Sequence, residues 1–107
     1  MPRYEDDDNI ITIGRPEIKD KIKKPSMYTV AFFNDDYTPM NFVVHVMTSV
    51  CNLSLEEATV AMLKVHKEGK ANVGSYTFEI AEDKCYRIIN LAIQQGYPLM
   101  TQPEELK

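Results

Sequence analysis

From residue 34 to residue 40 the chain reads Asn-Asp-Asp-Tyr-Thr-Pro-Met, and no regular element runs through that stretch. Before it, residues 27–33 alternate as a strand does, with Tyr28, Val30 and Phe32 on one side. After it, Phe42, Val46 and Val50 recur at helical spacing with Val43 and Met47 beside them. The chain must therefore turn from strand to helix here. Pro39 suits the first helical position, where its missing N–H has no helical partner and its φ is preset. Thr38 precedes it and is placed to cap the helix with its hydroxyl. The turn gathers one amide and two carboxylates at a single point.

The first helix is expected over residues 40–51, stopped by Asn52, which tolerates the left-handed conformation past a helix end. Ser54-Leu55-Glu56-Glu57 is a capping box. It opens a second helix with Leu55, Ala58, Met62 and Val65 on one side. Gly69 closes that helix after Lys64, His66 and Lys67. Residues 70–80 alternate with a change of phase at Gly74-Ser75, which a bulge or sharp bend would produce. Glu82 and Asp83 are expected to open a third helix, since acids favour its positive end. Cys85, Ile88, Ile89, Ala92 and Ile93 form its apolar face, and Gly96 ends it. Residues 98–101 add a short edge strand before a polar tail. The order strand, helix, helix, strand, helix, strand predicts an α+β domain: a small antiparallel sheet of about three strands with three α-helices packed on one face.

Residues 1–25 show no sustained apolar period, although Ile10-Ile11-Thr12-Ile13 is β-prone. They are expected to form a flexible N-terminal arm, leaving residues 26–107 as the core domain. A chain of 107 residues buries roughly two-thirds of its unfolded surface and folds without staples. Residues 1–26 hold six acids and six bases, so the net charge of −4 belongs to the remainder. Phosphate recognition needs clustered Lys and Arg, so nucleic acid is not the expected partner. No stretch resembles a signal peptide or a membrane span. Cys51 and Cys85 read as buried small hydrophobes that require no disulfide. A cytoplasmic monomer without metal or cofactor is the expectation.

The chemistry of the turn comes from its acceptors. The Asn34 carbonyl, the Asp35 carboxylate and one nitrogen of neutral His66 all accept hydrogen bonds. An ammonium has three donors and no acceptor, so an α-amino group suits the trio better than an anion does. Thr38, Met40, Met62, Val65 and Leu99 would supply walls around it, and methionine adapts to varied guests. Each residue also has a plainer reading. Asn and Asp in a loop commonly bond their own backbone. A histidine in a last helical turn is a favourable dipole partner. A methionine on an apolar helix face is ordinary core. Periodicity alone does not bring His66 to Asn34.

The string Asn34-Asp35-Asp36-Tyr37-Thr38-Pro39-Met40-Asn41-Phe42-Val43 resembles the ClpS family, as does Met62-Leu63-Lys64-Val65-His66-Lys67-Glu68-Gly69-Lys70-Ala71. Pro25-Ser26-Met27-Tyr28, Thr77, Glu79, Ala81-Glu82, Lys84 and Pro98-Leu99 continue the likeness, which spans about residues 25–101. The resemblance implies a non-catalytic adaptor. Such proteins bind N-degrons, whose first residue is bulky and apolar (Leu, Phe, Tyr or Trp), and deliver them to a ClpA- or ClpC-type AAA+ unfoldase working with the ClpP peptidase. Carried over by residue, Asn34, Asp35 and His66 would hold the substrate's α-amino group, and Asp36 the backbone after it. Thr38, Met40, Val43, Met62, Val65 and Leu99 would line the side-chain pocket, with Met40 gating against β-branched residues. Glu79 and Lys84 would contact the unfoldase N-domain, and the arm would engage it during hand-off.

Three other readings compete. An enzyme would pair Asp35 or Asp36 with His66 as base and acid, but no nucleophile stands in a recognisable elbow or triad. A metal site would draw on His45, His66, Cys51, Cys85 and the aspartates, whose spacings match no ligand pattern. A general protein-interaction domain of related fold, like the ribosomal stalk protein's C-terminal domain, would need no ammonium-binding trio.

Overall fold

The computed structural model describes residues 26–106, so the arm expected over residues 1–25 lies outside the described residues. The elements run β1 (Tyr28–Phe33), α1 (Met40–Ser49), α2 (Leu55–Glu68), β2 (Lys70–Tyr76), α3 (Phe78–Gln95) and β3 (Met100–Glu105). Three helices cover one face of an antiparallel sheet ordered β2-β1-β3. Val30 and Phe32 point from the central strand into the helical layer and are fully buried with Val46, Met47, Ala58 and Ile88. Replacing Phe32 by alanine would cost about 3–5 kcal/mol, because a close-packed core relaxes only partly around a void.

Local chemistry explains most boundaries. The Ser54 hydroxyl accepts from Glu57 N–H at 3.1 Å, and the Glu57 carboxylate accepts from Ser54 N–H at 2.9 Å. Gly69 closes α2 at φ +89°, a conformation in which a Cβ is costly. Asn52 sits at φ +61° beyond α1, as expected of its residue type. Between Tyr28↔Tyr76 and Val30↔Val73, β2 spends one residue more than β1, so the phase change at Gly74-Ser75 is a bulge.

Several expectations need correction. Pro39 is the N-cap of α1 rather than its first residue, with extended ψ 146°, and no side chain caps that helix. The Thr38 hydroxyl is used elsewhere. The third helix begins at Phe78, well before Glu82 and Asp83: Thr77 is its N-cap, its hydroxyl accepting from Ile80 N–H. Phe78 and Ile80 are therefore exposed helical residues, not strand residues. Ala81, Cys85, Ile88 and Ala92 are the buried stripe of α3, and Ile93 faces out. Leu55 likewise faces solvent at the start of α2. The polar tail is strand: residues 101–105 pair with β1, Pro103 lying opposite Val30 on an edge where a missing N–H is tolerated.

The two outer strands are tied across the central one. Lys70 stands opposite Phe33, Glu104 stands opposite Thr29, and their side chains form an ion pair. The Lys70 ammonium also lies 5.6 Å from the Phe33 ring. On the helical side, Thr101 donates to the Cys85 carbonyl at 3.2 Å, fixing β3 to α3. Cys51 and Cys85 are both buried free thiols.

Candidate functional site

The loop after β1 is shaped by Asp35. Its Oδ1 accepts from Tyr37 N–H at 2.8 Å and Thr38 N–H at 2.7 Å, and its Oδ2 accepts from the Thr38 hydroxyl at 2.7 Å. Burial pushes the Asp35 carboxyl up, but the Thr38 hydroxyl and the two backbone N–H groups outweigh it, and the net pKa lies below the usual 3.8. Three of the roughly four lone-pair sites of the carboxylate are thus occupied by its own loop. One on Oδ2 remains for a ligand.

The loop is joined to the end of α2 through the backbone, Asn34 N–H donating to the Gly69 carbonyl at 3.0 Å. That bond sets the amide of Asn34 beside the last turn of α2, which carries His66. Between loop, α1 and α2 lies a hollow of about 230 Å³. Asn34, Asp35, Asp36, Thr38 and His66 give it polar walls, and Met40, Val43, Met62 and Val65 give it apolar ones. Asn34, Asp36 and His66 are exposed, while Val43 and Val65 are buried behind the wall. Tyr37, 76% exposed, stands on the loop that forms the rim.

All nine lining residues were singled out above from the sequence. Leu99 was as well, yet it is buried in the core cluster and does not line the hollow. The plainer reading of Asp35, a loop carboxylate bonding its own backbone, holds beside its place in the hollow; what sequence reading missed is its bond from the Thr38 hydroxyl. Glu79 is exposed in the first turn of α3, bordering a shallow surface hollow with Glu82, Asp83 and Tyr86. Lys84 has an internal role: its ammonium donates to the Val50 carbonyl at 2.8 Å and lies 5.2 Å from the Tyr76 ring.

A wider groove of about 430 Å³ runs between α2 and β2, lined by Val60, Ala61 and Ala71 with Glu56, Glu57, Lys64 and Asn72. Its lining is more apolar than that of the smaller hollow, and it includes the Lys64 ammonium. Among the described residues no group of three or more His, Cys, Asp or Glu could hold a metal ion. None of their helices is long and apolar enough to cross a membrane. The smaller hollow offers a cation converging acceptors and a negative charge, with apolar surface next to them. An ammonium attached to an apolar side chain matches both halves.

Known proteins resemble this chain in sequence and fold. The family described as ATP-dependent Clp protease adaptor protein ClpS matches residues 23–102. An ATP-dependent Clp protease adapter protein ClpS of Treponema denticola is 44% identical over 89 residues, 83% of this chain and 88% of its own. That of Parvibaculum lavamentivorans is 49% identical over 86 residues, 80% of this chain and 78% of its own. Among solved structures, Agrobacterium tumefaciens ClpS2 bound to L-phenylalaninamide superposes with a TM-score of 0.74 at 35% identity, covering 78% of this chain and 100% of that one.

Proposed function

The chain belongs to the ClpS family of Clp protease adaptors, which are not enzymes, and from that premise we propose that its hollow captures the first residue of N-degron substrates. The observation that carries this reading is the pairing in one 230 Å³ hollow of acceptor groups with a wall of Met40, Val43, Met62 and Val65. The α-ammonium is held by Asn34, the free lone pair of Asp35, and His66. Asp36, on the same rim, receives the backbone N–H that follows. A Leu, Phe, Tyr or Trp side chain then lies against the apolar wall. The ligand of the Agrobacterium relative supports this, because L-phenylalaninamide joins a free α-amine to a benzyl side chain and an amide.

Hydrogen bonds to a charged partner contribute about 1.5–3 kcal/mol each, so the amine supplies much of the affinity and the wall selects what accompanies it. The captured protein is passed to a ClpA- or ClpC-type AAA+ unfoldase and degraded by ClpP, with the adaptor acting as a cytoplasmic monomer. Glu79, exposed on α3, belongs to the face that meets the unfoldase N-domain. Lys84 contributes to that face through its hold on the end of α1. The test is a titration with peptides that differ only at the first residue, together with an α-acetylated Leu peptide. Free Leu, Phe, Tyr and Trp peptides bind and the acetylated one does not. Equal affinity for free and acetylated peptide would refute the amine reading.

A further inference from the structure

Met40 opens α1 at the point where loop meets helix, lines the hollow, and is nonetheless 44% exposed. Met62 faces the same hollow and is partly buried. Met47 is fully buried in the core, while Met27 and Met100 are exposed but do not line the hollow. Among the described residues, Met40 is the one methionine that is both exposed and part of the apolar wall. Given that the hollow receives an apolar first residue, as proposed above, we propose that Met40 is a modification site at which oxidation by a hydroperoxide switches off recognition.

A lone pair on the Met40 sulfur attacks one oxygen of the hydroperoxide. The S–O bond forms as the O–O bond breaks, sulfur gives up two electrons, and the proton on the transferred oxygen passes to the departing one, which leaves as water, or as an alcohol from an organic hydroperoxide. The sulfoxide is returned to the thioether by methionine sulfoxide reductases. The competing thiols are shielded: burial pushes Cys51 up to about 11 and raises Cys85 as well, so neither offers much thiolate.

The consequence follows from what surrounds the new oxygen. On the apolar wall, Val43, Met62 and Val65 have no side-chain donor; the Thr38 hydroxyl is already given to Asp35, and Asn34 and His66 are the groups the proposed reading assigns to the amine. In the empty hollow, water satisfies the sulfoxide. A leucine or phenylalanine side chain displaces that water and offers no donor in return, so the complex is weakened and the fold is not. An unpaired buried acceptor of this kind weakens binding roughly tenfold to a hundredfold.

The experiment treats the full chain with hydrogen peroxide, locates added oxygen by peptide mass spectrometry, and measures affinity for Leu and Phe peptides lacking Met and Cys. We expect Met40 to gain one oxygen before Met47 does, affinity to fall tenfold or more at an unchanged thermal midpoint, and a sulfoxide reductase to restore it. The double variant Met27→Leu/Met100→Leu should show the same loss, and Met40→Leu none relative to its own untreated affinity. Unaltered affinity in protein whose Met40 is sulfoxide overturns the proposal. So do resistance of Met40 to oxidation, an equal loss in Met40→Leu, and a loss that tracks unfolding. Untreated protein that binds no free-amine peptide would instead strike the reading of the hollow itself.

Discussion

The backbone N–H of Asn34 is bound to the carbonyl of Gly69 at 3.0 Å, which fixes the acceptor loop on the end of α2 three positions beyond His66. Gly69 holds φ +89°, and a Cβ added there would meet nothing within 4 Å. Gly69→Ala therefore costs conformation rather than space, about 1 kcal/mol. It also tilts the carbonyl that Asn34 uses, so peptide affinity falls with stability. Gly74→Ala provides the contrast. Its Cβ would collide with the side chain of Tyr76, whose hydroxyl donates to the Cys51 carbonyl and whose ring carries Lys84 over its face. Denaturant melts and peptide titrations should show Gly74→Ala losing more stability yet leaving affinity nearly intact.

Acid acts on the trio through Asp35. The folded pKa of Asp35 is lowered from 3.8, so its carboxylate stays charged from pH 8 down to pH 5. Its contribution to stability is fully present above 3.8 and is lost only as pH falls through the lower folded value. Affinity for a Leu peptide should thus keep the Asp35 contribution from pH 8 to pH 5 and lose it, with stability, only as pH falls through that carboxyl's lowered range. At His66 the proposed role is an acceptor nitrogen facing the ammonium. A His66→Gln variant, which keeps an acceptor, should bind a Leu peptide better than His66→Ala does. Equal affinity of the two variants removes His66 from the amine site.

The legible parts of the sequence were those governed by local chemistry. The Ser54–Glu57 box, the glycine at 69, the bulge at Gly74-Ser75 and the left-handed Asn52 each follow from one residue's conformational preference. What sequence reading misplaced had two valid local readings, and tertiary context chose between them. Phe78 and Ile80 alternate like strand residues, but Thr77 caps a helix whose buried stripe begins at Ala81. The tail looks polar because β3 is an edge strand, yet pairing with β1 orders it to Glu105. The loop residues were named as a group, and the bond that makes them a site was not, since Asn34 reaches Gly69 through its backbone. Thr38 shows the converse, a residue whose type suited a helix cap but whose hydroxyl is given to Asp35.

Lys84 and Glu79 should behave differently although both lie on α3. The Lys84 ammonium satisfies the Val50 carbonyl just past the last residue of α1 and sits over Tyr76. Lys84→Ala leaves that carbonyl without its donor and should lower stability by about 1–2 kcal/mol in denaturant unfolding. Glu79→Ala removes an exposed carboxylate in the first turn of α3 and should change stability by no more than about 0.5 kcal/mol. If both variants weaken unfoldase binding, only the Lys84 effect should be relieved by a second, stabilising change in the core. Equal melting behaviour of the two variants would show that the Val50 bond carries no energy.

Met40 also bears on which first residues enter. Isoleucine and valine carry two heavy atoms on Cβ, so their bulk lies next to the α-amine rather than beyond it. Met40 begins α1 directly after the acceptor loop and lines the hollow; on the proposed reading, its thioether would compete with that extra branch for room beside the amine. Met40→Ala should remove the obstruction, raising affinity for Ile and Val peptides about tenfold. The same change strips apolar surface from the wall, so Leu and Phe peptides should lose about 1 kcal/mol at the usual area coefficient. Titrations of the four peptides against both proteins decide the matter. A loss for all four, with no gain for Ile or Val, would make Met40 a wall that does not discriminate.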